Sequence, residues 1–438
     1  MWMGQKKRKG QEKRKGRKVI KISAFVLSIT MCLGLLAGCS DTSQTAGAAA
    51  ASTSKAAEAA ATPGTAGAAA EPETAGADAT SKDAGVAETG STDEETGKSA
   101  GARKVVDQLG REVELPANIN RVVITSILPI PSVFCLVDGS ADKIVGMAPA
   151  SMGAAQNSLL AAIYPNILKA STEFMKGDTI NLEELVKLKP DMIICLAENG
   201  EAATLEKTGI PVIAVKTSSV ADGNSFETVY SWVELLGKIL GKTDKAEYLT
   251  KKGYEMLGEV NSKLWVVPED KKPTALILFN HSSDTIKVSG AHFFGQFWIN
   301  SAGGKNVAGD LSGTPVVTME QIYKWNPDYI FITNFTPTQP EDLLDNKVDG
   351  QDWSQLKAIK DKKVFKIPLG TYRWFPPSAD SPLMIKWIAQ MLHPEVFNYY
   401  SMEDEAKQYY KEFFGWDLTG EQIYTVFHPS SDAAKGYK

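Results

Sequence analysis

Residues 180–195, INLEELVKLKPDMIIC, recur in this chain as residues 317–332, VTMEQIYKWNPDYIFI. The two stretches align without a gap, and they share Glu183 with Glu320, Lys187 with Lys324, and Pro190–Asp191 with Pro327–Asp328. In each copy a good N-cap (Asn181 or Thr318) precedes apolar residues at helical spacing, and a proline then ends the helix before an apolar run typical of a buried strand. The same helix–turn–strand unit in each half of the chain predicts two similar α/β lobes with a ligand cleft between them.

The first 38 residues predict a lipoprotein signal peptide. Ten Lys and Arg residues lead into the apolar run 22–36, which is too short for a comfortable membrane span. The run ends in Leu36-Ala37-Gly38-Cys39, which resembles a bacterial lipoprotein signal in which the cysteine is lipidated and becomes the first residue. An ordinary signal peptide with an incidental cysteine, or a signal anchor, is the alternative. The sequence thus predicts a protein on the extracytoplasmic face of the cell membrane, attached through lipid on Cys39.

Composition separates the segment after the signal from the folded chain. Residues 39–102 are rich in Ala, Gly, Thr and Glu and contain no aromatic side chain, which predicts a disordered tether. The sequence after the signal carries a net charge of about −14, which argues against nucleic acid or an anionic membrane surface as a partner. The predicted parts that follow are an N-terminal α/β lobe at 103–225, a linking helical region at 226–265, a C-terminal α/β lobe at 266–428 and a tail at 429–438.

Strands that alternate with helices predict an α/β fold of two lobes with mainly parallel sheets, joined by one long α-helix. The long helix is expected at residues 244–264, and a final helix at 403–414. Cys135 and Cys195 both lie in apolar runs, so a disulfide between them and two separate buried thiols both remain open. The sequence contains no catalytic motif and no zinc-site spacing, which argues against an enzyme.

Ligand-binding residues are expected beyond the carboxyl ends of the parallel strands. The loop Gly370–Phe375 is the most informative, because it places aromatic side chains beside Arg373, whose guanidinium can bind a carboxylate. Trp374 and Phe375 can instead fill the core of the lobe, and we favour this for Phe375. Metal ligation by His281, His292 and Tyr372 is a further expectation, although a lone histidine is more often a hydrogen-bonding residue. The predicted ligand-binding set is Ser126, Met147, Met175, Glu198, Asn199, His281, His292, Phe293, Asn334, Tyr372, Arg373 and Trp374.

Three motifs, in this order along the chain, resemble those of ABC-transporter substrate-binding proteins of the iron-siderophore, haem and cobalamin family. They are DQLGREVELPANINRVVI at 107–124, NLEELVKLKPDMII at 181–194 and SAGGKNVAG at 301–309. The resemblance covers roughly residues 104–400 and implies two lobes bridged by one long helix, with the ligand in a shallow cleft. It also implies that Glu183 and Glu320 dock onto arginines of the permease. The alternative is that the helix dipole favours a glutamate in the first turn.

The resemblance implies a non-enzymatic, monomeric receptor without a cofactor, which captures a metal chelate such as a ferric siderophore, haem or cobalamin. It would deliver this chelate to the permease of an ABC importer. Two well-placed histidines are few for a bare metal ion, so a receptor for nickel or cobalt ions or small chelates is the alternative within this class. A chelatase-like enzyme and a sensor subunit are rivals from other classes. Met147 and Met175 are expected either to contact the ligand or to belong to the core.

Overall fold

The computed structural model describes residues 103–437, apart from 127, 178, 218, 219 and 221. The predicted signal peptide, the tether and Cys39 lie outside the described residues. Within the described part of the chain, no helix combines the length and the apolarity needed to cross a membrane.

The first lobe is built on a parallel sheet in the order β4-β3-β7-β8. Its strands are β1 Arg103–Val106, β2 Glu112–Leu115, β3 Val122–Ile124, β4 Ile144–Met147, β5 Met175–Lys176, β6 Thr179–Ile180, β7 Met192–Leu196 and β8 Val212–Val215. Its helices are α1 Ile130–Asp138, α2 Pro149–Gln156, α3 Leu159–Ile163, α4 Leu182–Lys187 and α5 Glu201–Leu205, with 3-10 turns at Pro165–Lys169 and Glu206–Thr208. β1 and β2 form an antiparallel hairpin, and Gly110 takes a positive φ of 80° in its turn.

Two helices connect this lobe to the second, α6 Ser225–Leu240 and α7 Thr243–Leu264. α7 has 22 residues, about 33 Å at the rise of an α-helix, and it packs against both α6 and α12 of the second lobe, Ser381–Leu392. Lys242 rather than the expected Thr243 is its N-cap residue.

The second lobe has a sheet in the order β10-β9-β12-β13, with β11 beside the start of β9. Its strands are β9 Thr274–His281, β10 Ile286–Val288, β11 Lys305–Asn306, β12 Tyr329–Ile332 and β13 Val364–Lys366. β10 alone among these runs antiparallel to β9. Besides α12, the helices are α8 Phe294–Ser301, α9 Met319–Trp325, α10 Pro340–Leu344, α11 Lys357–Lys360, α13 Met402–Phe414 and α14 Gly420–Phe427, with 3-10 turns at Glu269–Lys271 and Ser431–Ala434. The α/β fold with two mainly parallel sheets is therefore confirmed.

The repeated unit has the same local structure in both lobes. The Asn181 side chain accepts hydrogen bonds from the first-turn amides of α4, and Thr318 does so for α9. The residue before each proline, Lys189 or Asn326, takes a left-handed backbone that ends the helix. Each Pro-Asp aspartate then accepts a backbone N–H at the amino end of the neighbouring strand: Asp191 from Arg121 (2.8 Å), and Asp328 from Thr274 (2.8 Å). The residues of the repeat therefore determine where its helix begins and ends, and they also attach its strand to the neighbouring strand of the sheet.

Alternate residues of the sheets face different hydrophobic clusters, as expected for strands covered on both faces. Val123 and Ile193 belong to a cluster confined to the first lobe, whereas Ile124 and Ile194 join a large cluster that also contains residues of the second sheet and of α6 and α12. Cys135 lies in the large cluster and Cys195 in the smaller one, and both are free thiols. The alternative of two separate buried thiols is the one observed, because the sheet separates them.

Candidate functional site

The strongest candidate site lies where β12 and β13 end in the second lobe. Arg373, in the loop after β13, is 1% exposed. Its Nε donates to the backbone oxygen of Asn334 at 2.9 Å, in the loop after β12, and its guanidinium stacks over the ring of Phe335, 5.0 Å from the ring centroid. In parallel sheets, ligands bind beyond the carboxyl ends of the strands. At that end of the second sheet, the structure has a buried cation held between the loops that follow β12 and β13.

All five hydrogen bonds of Arg373 go to uncharged oxygens. The Tyr372 hydroxyl accepts from Nη1 at 3.1 Å, and the others go to the backbone oxygens of Asn334, Ala433 and Lys435. A second buried cation, Lys366, donates to the backbone oxygens of Thr336 and Thr338, both at 2.7 Å. Burial of a charge without an opposite charge is costly. Since no carboxylate of the described residues bonds to Arg373, this end of the second lobe is suited to an anionic group.

Burial changes the pKa of Lys366. Burial lowers the pKa of its ammonium group to about 7, Asp342 acts in the opposite direction, and the positive charge of Arg373 lowers it further. Lys366 is therefore near enough to Arg373 for the two charges to act on each other.

A buried carboxyl group holds the loop that carries Arg373. Asp380 accepts hydrogen bonds from the Thr371 hydroxyl at 2.8 Å, the Tyr372 backbone N–H at 3.1 Å and the Tyr410 hydroxyl at 2.6 Å. Burial raises the pKa of Asp380 to about 6, while these hydrogen bonds act against the increase. Asp380 is thus a positioning residue for the loop.

The Phe335 ring that lies under the guanidinium belongs to a group of packed aromatic side chains. Phe279 at the end of β9 lies 5.2 Å from Phe335, 5.5 Å from Phe293 and 5.8 Å from Phe375, measured between ring centroids. We call these four residues the aromatic cluster. Phe279, Phe335 and Phe375 are buried, whereas Phe293 is half-buried. Phe293 is therefore the member of the cluster that can pack against a flat or conjugated ligand while Arg373 binds its charged group.

The first lobe approaches this loop directly. The Leu159 backbone N–H donates to the backbone oxygen of Gly370 at 2.9 Å, and the Ser158 hydroxyl donates to that of Thr371 at 3.2 Å. A second contact joins the lobes at the surface, where His292 Nδ1 lies 2.7 Å from Asp222 Oδ1. Both of these side chains are exposed.

The polar residues predicted in the first lobe bond to other residues of that lobe. The Ser126 hydroxyl donates to Glu201 Oε2 at 2.6 Å and accepts from the Leu196 backbone N–H. Glu198 accepts from the Thr217 backbone N–H at 2.7 Å, and Asn199 accepts from that of Glu201. The structure therefore does not bring these three side chains to Arg373 through any contact of the described residues.

The expected metal ligands do not assemble into a metal site. His281 is buried with both ring nitrogens in use: Nδ1 lies 2.9 Å from Thr338 Oγ1, and Nε2 lies 2.8 Å from Gln351 Oε1. Burial lowers the pKa of His281, which favours the neutral ring. His292 pairs with Asp222, and Tyr372 with Arg373. Residues 103–437, in their described parts, contain no group of three or more His, Cys, Asp or Glu side chains that could hold a metal ion.

For two of the predicted residues, burial in the core was one of the two alternatives, and the structure agrees with it. Met147 and Trp374 are both fully buried in the large hydrophobic cluster. Trp374 packs edge-on against Phe427 of α14, a helix that the sequence interpretation missed. They belong to the core because strand and loop bury them on all sides. Met175 is half-buried against the cluster of the first lobe, and Phe293 is half-buried in the aromatic cluster.

A separate pocket of about 310 Å³ lies between α7, α12 and α13, away from the strand ends. Its buried Lys386 is neutralised by Glu259 at 3.1 Å and Glu405 at 2.8 Å. Because two carboxylates compensate the charge of Lys386, this pocket does not offer an anion the unpaired buried cation that Arg373 offers among the described residues.

The C-terminal residues complete the site, and the sequence interpretation treated them only as a tail. Ala433 and Lys435 supply backbone oxygens to Arg373, and the Tyr437 ring lies 4.4 Å from that of Phe335. The one aromatic residue of the tail, in the sequence Lys435-Gly436-Tyr437, was the available signal.

Comparisons with known proteins agree with this architecture. The model of the family described as "Periplasmic binding protein" matches residues 125–369. A solved structure, the periplasmic solute binding protein from Veillonella parvula, is 34% identical, covers 77% of this chain and 100% of its own, and has a TM-score of 0.67. Among curated proteins, the molybdate-binding protein MolA of Haemophilus influenzae is 24% identical, over 71% of this chain and 91% of its own length. The uncharacterized ABC transporter substrate-binding lipoprotein YvrC of Bacillus subtilis is 26% identical, over 63% and 81%.

Proposed function

Because the chain belongs to the periplasmic binding protein family, whose members are solute-binding proteins and not enzymes, we propose that it is the lipid-anchored receptor of an ABC importer for a metal chelate. The chelate is of the ferric siderophore, haem or cobalamin type and presents an anionic oxygen group to the protein. Lipid on Cys39 holds the receptor at the extracytoplasmic face. Mass spectrometry of the mature N-terminal peptide tests this attachment, since the peptide should begin at Cys39 and carry the added mass of the lipid.

The buried guanidinium of Arg373 carries the proposal. Its hydrogen bonds to the described residues all go to uncharged oxygens, so an anion would gain a charge-assisted, two-point contact there. The half-buried ring of Phe293, at the edge of the aromatic cluster, offers apolar contact area for the organic part of a chelate. The names of similar proteins support a metal-related ligand, since one binds iron(3+)-hydroxamate and another vitamin B12.

A molybdate-type oxoanion is a second candidate. The two buried cations Arg373 and Lys366 and the resemblance to MolA favour it. A receptor for bare nickel or cobalt ions receives no such support, because His281 and His292 already have other partners.

Binding measurements on the chain from residue 103 onward test the ligand class. We expect one chelate from a panel of ferric hydroxamate, ferric catecholate, ferric citrate, haem and cobalamin to bind with one-to-one stoichiometry and submicromolar affinity in calorimetry. Molybdate and nickel-histidine are titrated in the same way. Binding of molybdate alone would replace the leading candidate by the second, and no heat from any chelate with the folded protein would refute the proposal.

Glu183 and Glu320 are proposed to dock the two lobes onto arginines of the permease. Both are exposed in the first turns of α4 and α9, at matching positions of the repeat. Glu184 pairs with Lys187 at 2.6 Å, whereas no ion pair of the described residues uses either docking glutamate. The Thr318 hydroxyl lowers the pKa of Glu320, so this carboxylate is charged at neutral pH.

Replacing both glutamates by alanine is expected to reduce ligand-stimulated ATP hydrolysis by the cognate importer in proteoliposomes on the order of tenfold or more, because two interfacial charge pairs are lost. Affinity for the chelate should stay unchanged. Glu421→Ala is a matched control, since Glu421 is an exposed first-turn glutamate of α14 outside the repeat. Full stimulation of the importer by the double variant would refute the docking role.

A further inference from the structure

The C-terminal residues 430–437, which we call the tail segment, lie across the candidate site. They follow α14, which is fixed to the second lobe by the bond from the Leu369 backbone N–H to the Val426 backbone oxygen, at 2.9 Å. The tail segment begins with a 3-10 turn, Ser431–Ala434, that is capped by the Ser430 side chain. The tail segment is therefore a separate element from the helix before it.

Backbone carbonyl oxygens of the tail segment accept hydrogen bonds from the Arg373 guanidinium. Arg373 Nη2 donates to the oxygens of Ala433 and Lys435, both at 3.0 Å, and Nε also lies 3.2 Å from that of Ala433. Two oxygens on one guanidinium are the arrangement that a carboxylate or another oxoanion would supply. The carbonyls provide dipoles but no charge, and no carboxylate within the described part of the chain bonds to the guanidinium.

The tail segment also touches the aromatic cluster and the first lobe. The Tyr437 ring lies 4.4 Å from Phe335 and 6.1 Å from Phe279, between centroids. Gly436 has a φ of +81° and packs so closely on α2 that an added Cβ would lie 2.9 Å from the backbone oxygen of Ala150. The segment thus lies between the lobes and touches each of them.

We propose that the tail segment is a built-in competitor for the ligand: it occupies the anion-binding side of Arg373 in the free receptor, and an anionic ligand displaces it. This inference rests on the proposed function, because the ligand's charged group is assigned to the same guanidinium. The segment suits a reversible occupant, since the Asp432–Lys435 ion pair is solvent-exposed and only Ala433 is buried.

Competition between the tail segment and the ligand for Arg373 lowers the apparent affinity of the receptor for the ligand. When only a fraction of the receptor is open, the apparent dissociation constant equals the intrinsic one divided by that fraction. A tail segment docked in about nine molecules of ten would weaken binding about tenfold. It would also select against ligands without acceptor oxygens, because a ligand that cannot replace both carbonyls leaves the guanidinium unpaired.

A peptide experiment tests docking without any transported ligand. A synthetic peptide of residues 429–438 is titrated calorimetrically into the chain that ends at residue 428. We expect saturable one-to-one binding that is lost with a Gly436→Val peptide, whose side chain would collide with α2. A Lys435→Ala peptide should still bind, because the carbonyl rather than the exposed side chain contacts Arg373. Absence of binding by the unmodified peptide would overturn the inference.

A second experiment measures the affinity for two anionic probes, ferric citrate and molybdate. It compares three proteins that retain the tail segment: the unmodified chain, Gly436→Val and Lys435→Ala. We expect Gly436→Val to bind its probe about tenfold more tightly and Lys435→Ala to match the unmodified chain. Equal affinity in all three forms would overturn the competitor role while leaving the proposed function intact. If neither probe nor any chelate binds while the peptide still docks, the proposed function fails but the docking of the tail segment is supported.

Discussion

Arg373→Ala is expected to weaken binding of the chelate on the order of 100-fold or more. The substitution removes a fork of charged donors from a buried site, where truncating one partner of a charge pair costs about 2–5 kcal/mol. The loss should appear as a higher Kd in calorimetry of the chain that ends at residue 428. In that form the tail segment is absent and its release cannot mask the effect.

Two further variants separate this loss from damage to the fold. Arg373→Lys keeps a charge but not the planar fork, so an intermediate affinity is expected. Arg121→Lys is the matched control, because Arg121 also donates from Nε and Nη2 to a backbone oxygen, that of Leu188, but at the amino end of β3. Unchanged affinity in Arg373→Ala, with normal thermal unfolding, would remove Arg373 from the ligand site.

Lys366→Met is expected to abolish a rise in stability between pH 7 and pH 10. Burial lowers the pKa of Lys366 to about 7 in the folded chain, against 10.5 for an ordinary lysine. Within that window the unfolded chain binds a proton that the folded chain does not, so the free energy of unfolding increases with pH. The increase from this one group is on the order of 3 kcal/mol, and below pH 7 the penalty is constant.

Denaturant unfolding of both proteins at closely spaced pH values measures this effect. The difference in unfolding free energy between unmodified chain and variant isolates Lys366 from other groups that titrate in the same range. Lys324→Met removes one positive charge from the exposed side of α9 and serves as the control. Parallel stability curves for the unmodified and Lys366→Met proteins would show that the ammonium group is not buried as described.

Much of the fold was predictable because local chemistry encodes it. The N-caps Asn181 and Thr318, the helix-ending turns at Lys189 and Asn326, and the alternating apolar strands all act over a few residues. α14 was missed although the sequence carries its signals, a capping box of Thr419 with Gln422 and the apolar residues Ile423, Val426 and Phe427. Its burial depends on Leu369 and Trp374, which are distant in sequence.

The site was predicted in part. The loop of Arg373 follows from the rule about strand carboxyl ends, but Trp374 in the same loop points into the core. Residue type alone does not tell an exposed aromatic from a buried one. His281 shows the same limit, since its partners Thr338 and Gln351 lie 57 and 70 residues away.

The sequence by itself determined the two-lobed α/β architecture, the family resemblance and the position of Arg373 at the end of a strand. Those features depend on short-range patterns and on motifs that are contiguous in the chain. Only the tertiary structure decided that the cation is buried with no carboxylate of the described residues bonded to it and that the tail segment covers it. Burial and charge compensation depend on groups brought together from opposite ends of a lobe, and the bonds from Arg373 to residues 433 and 435 join positions about 60 residues apart.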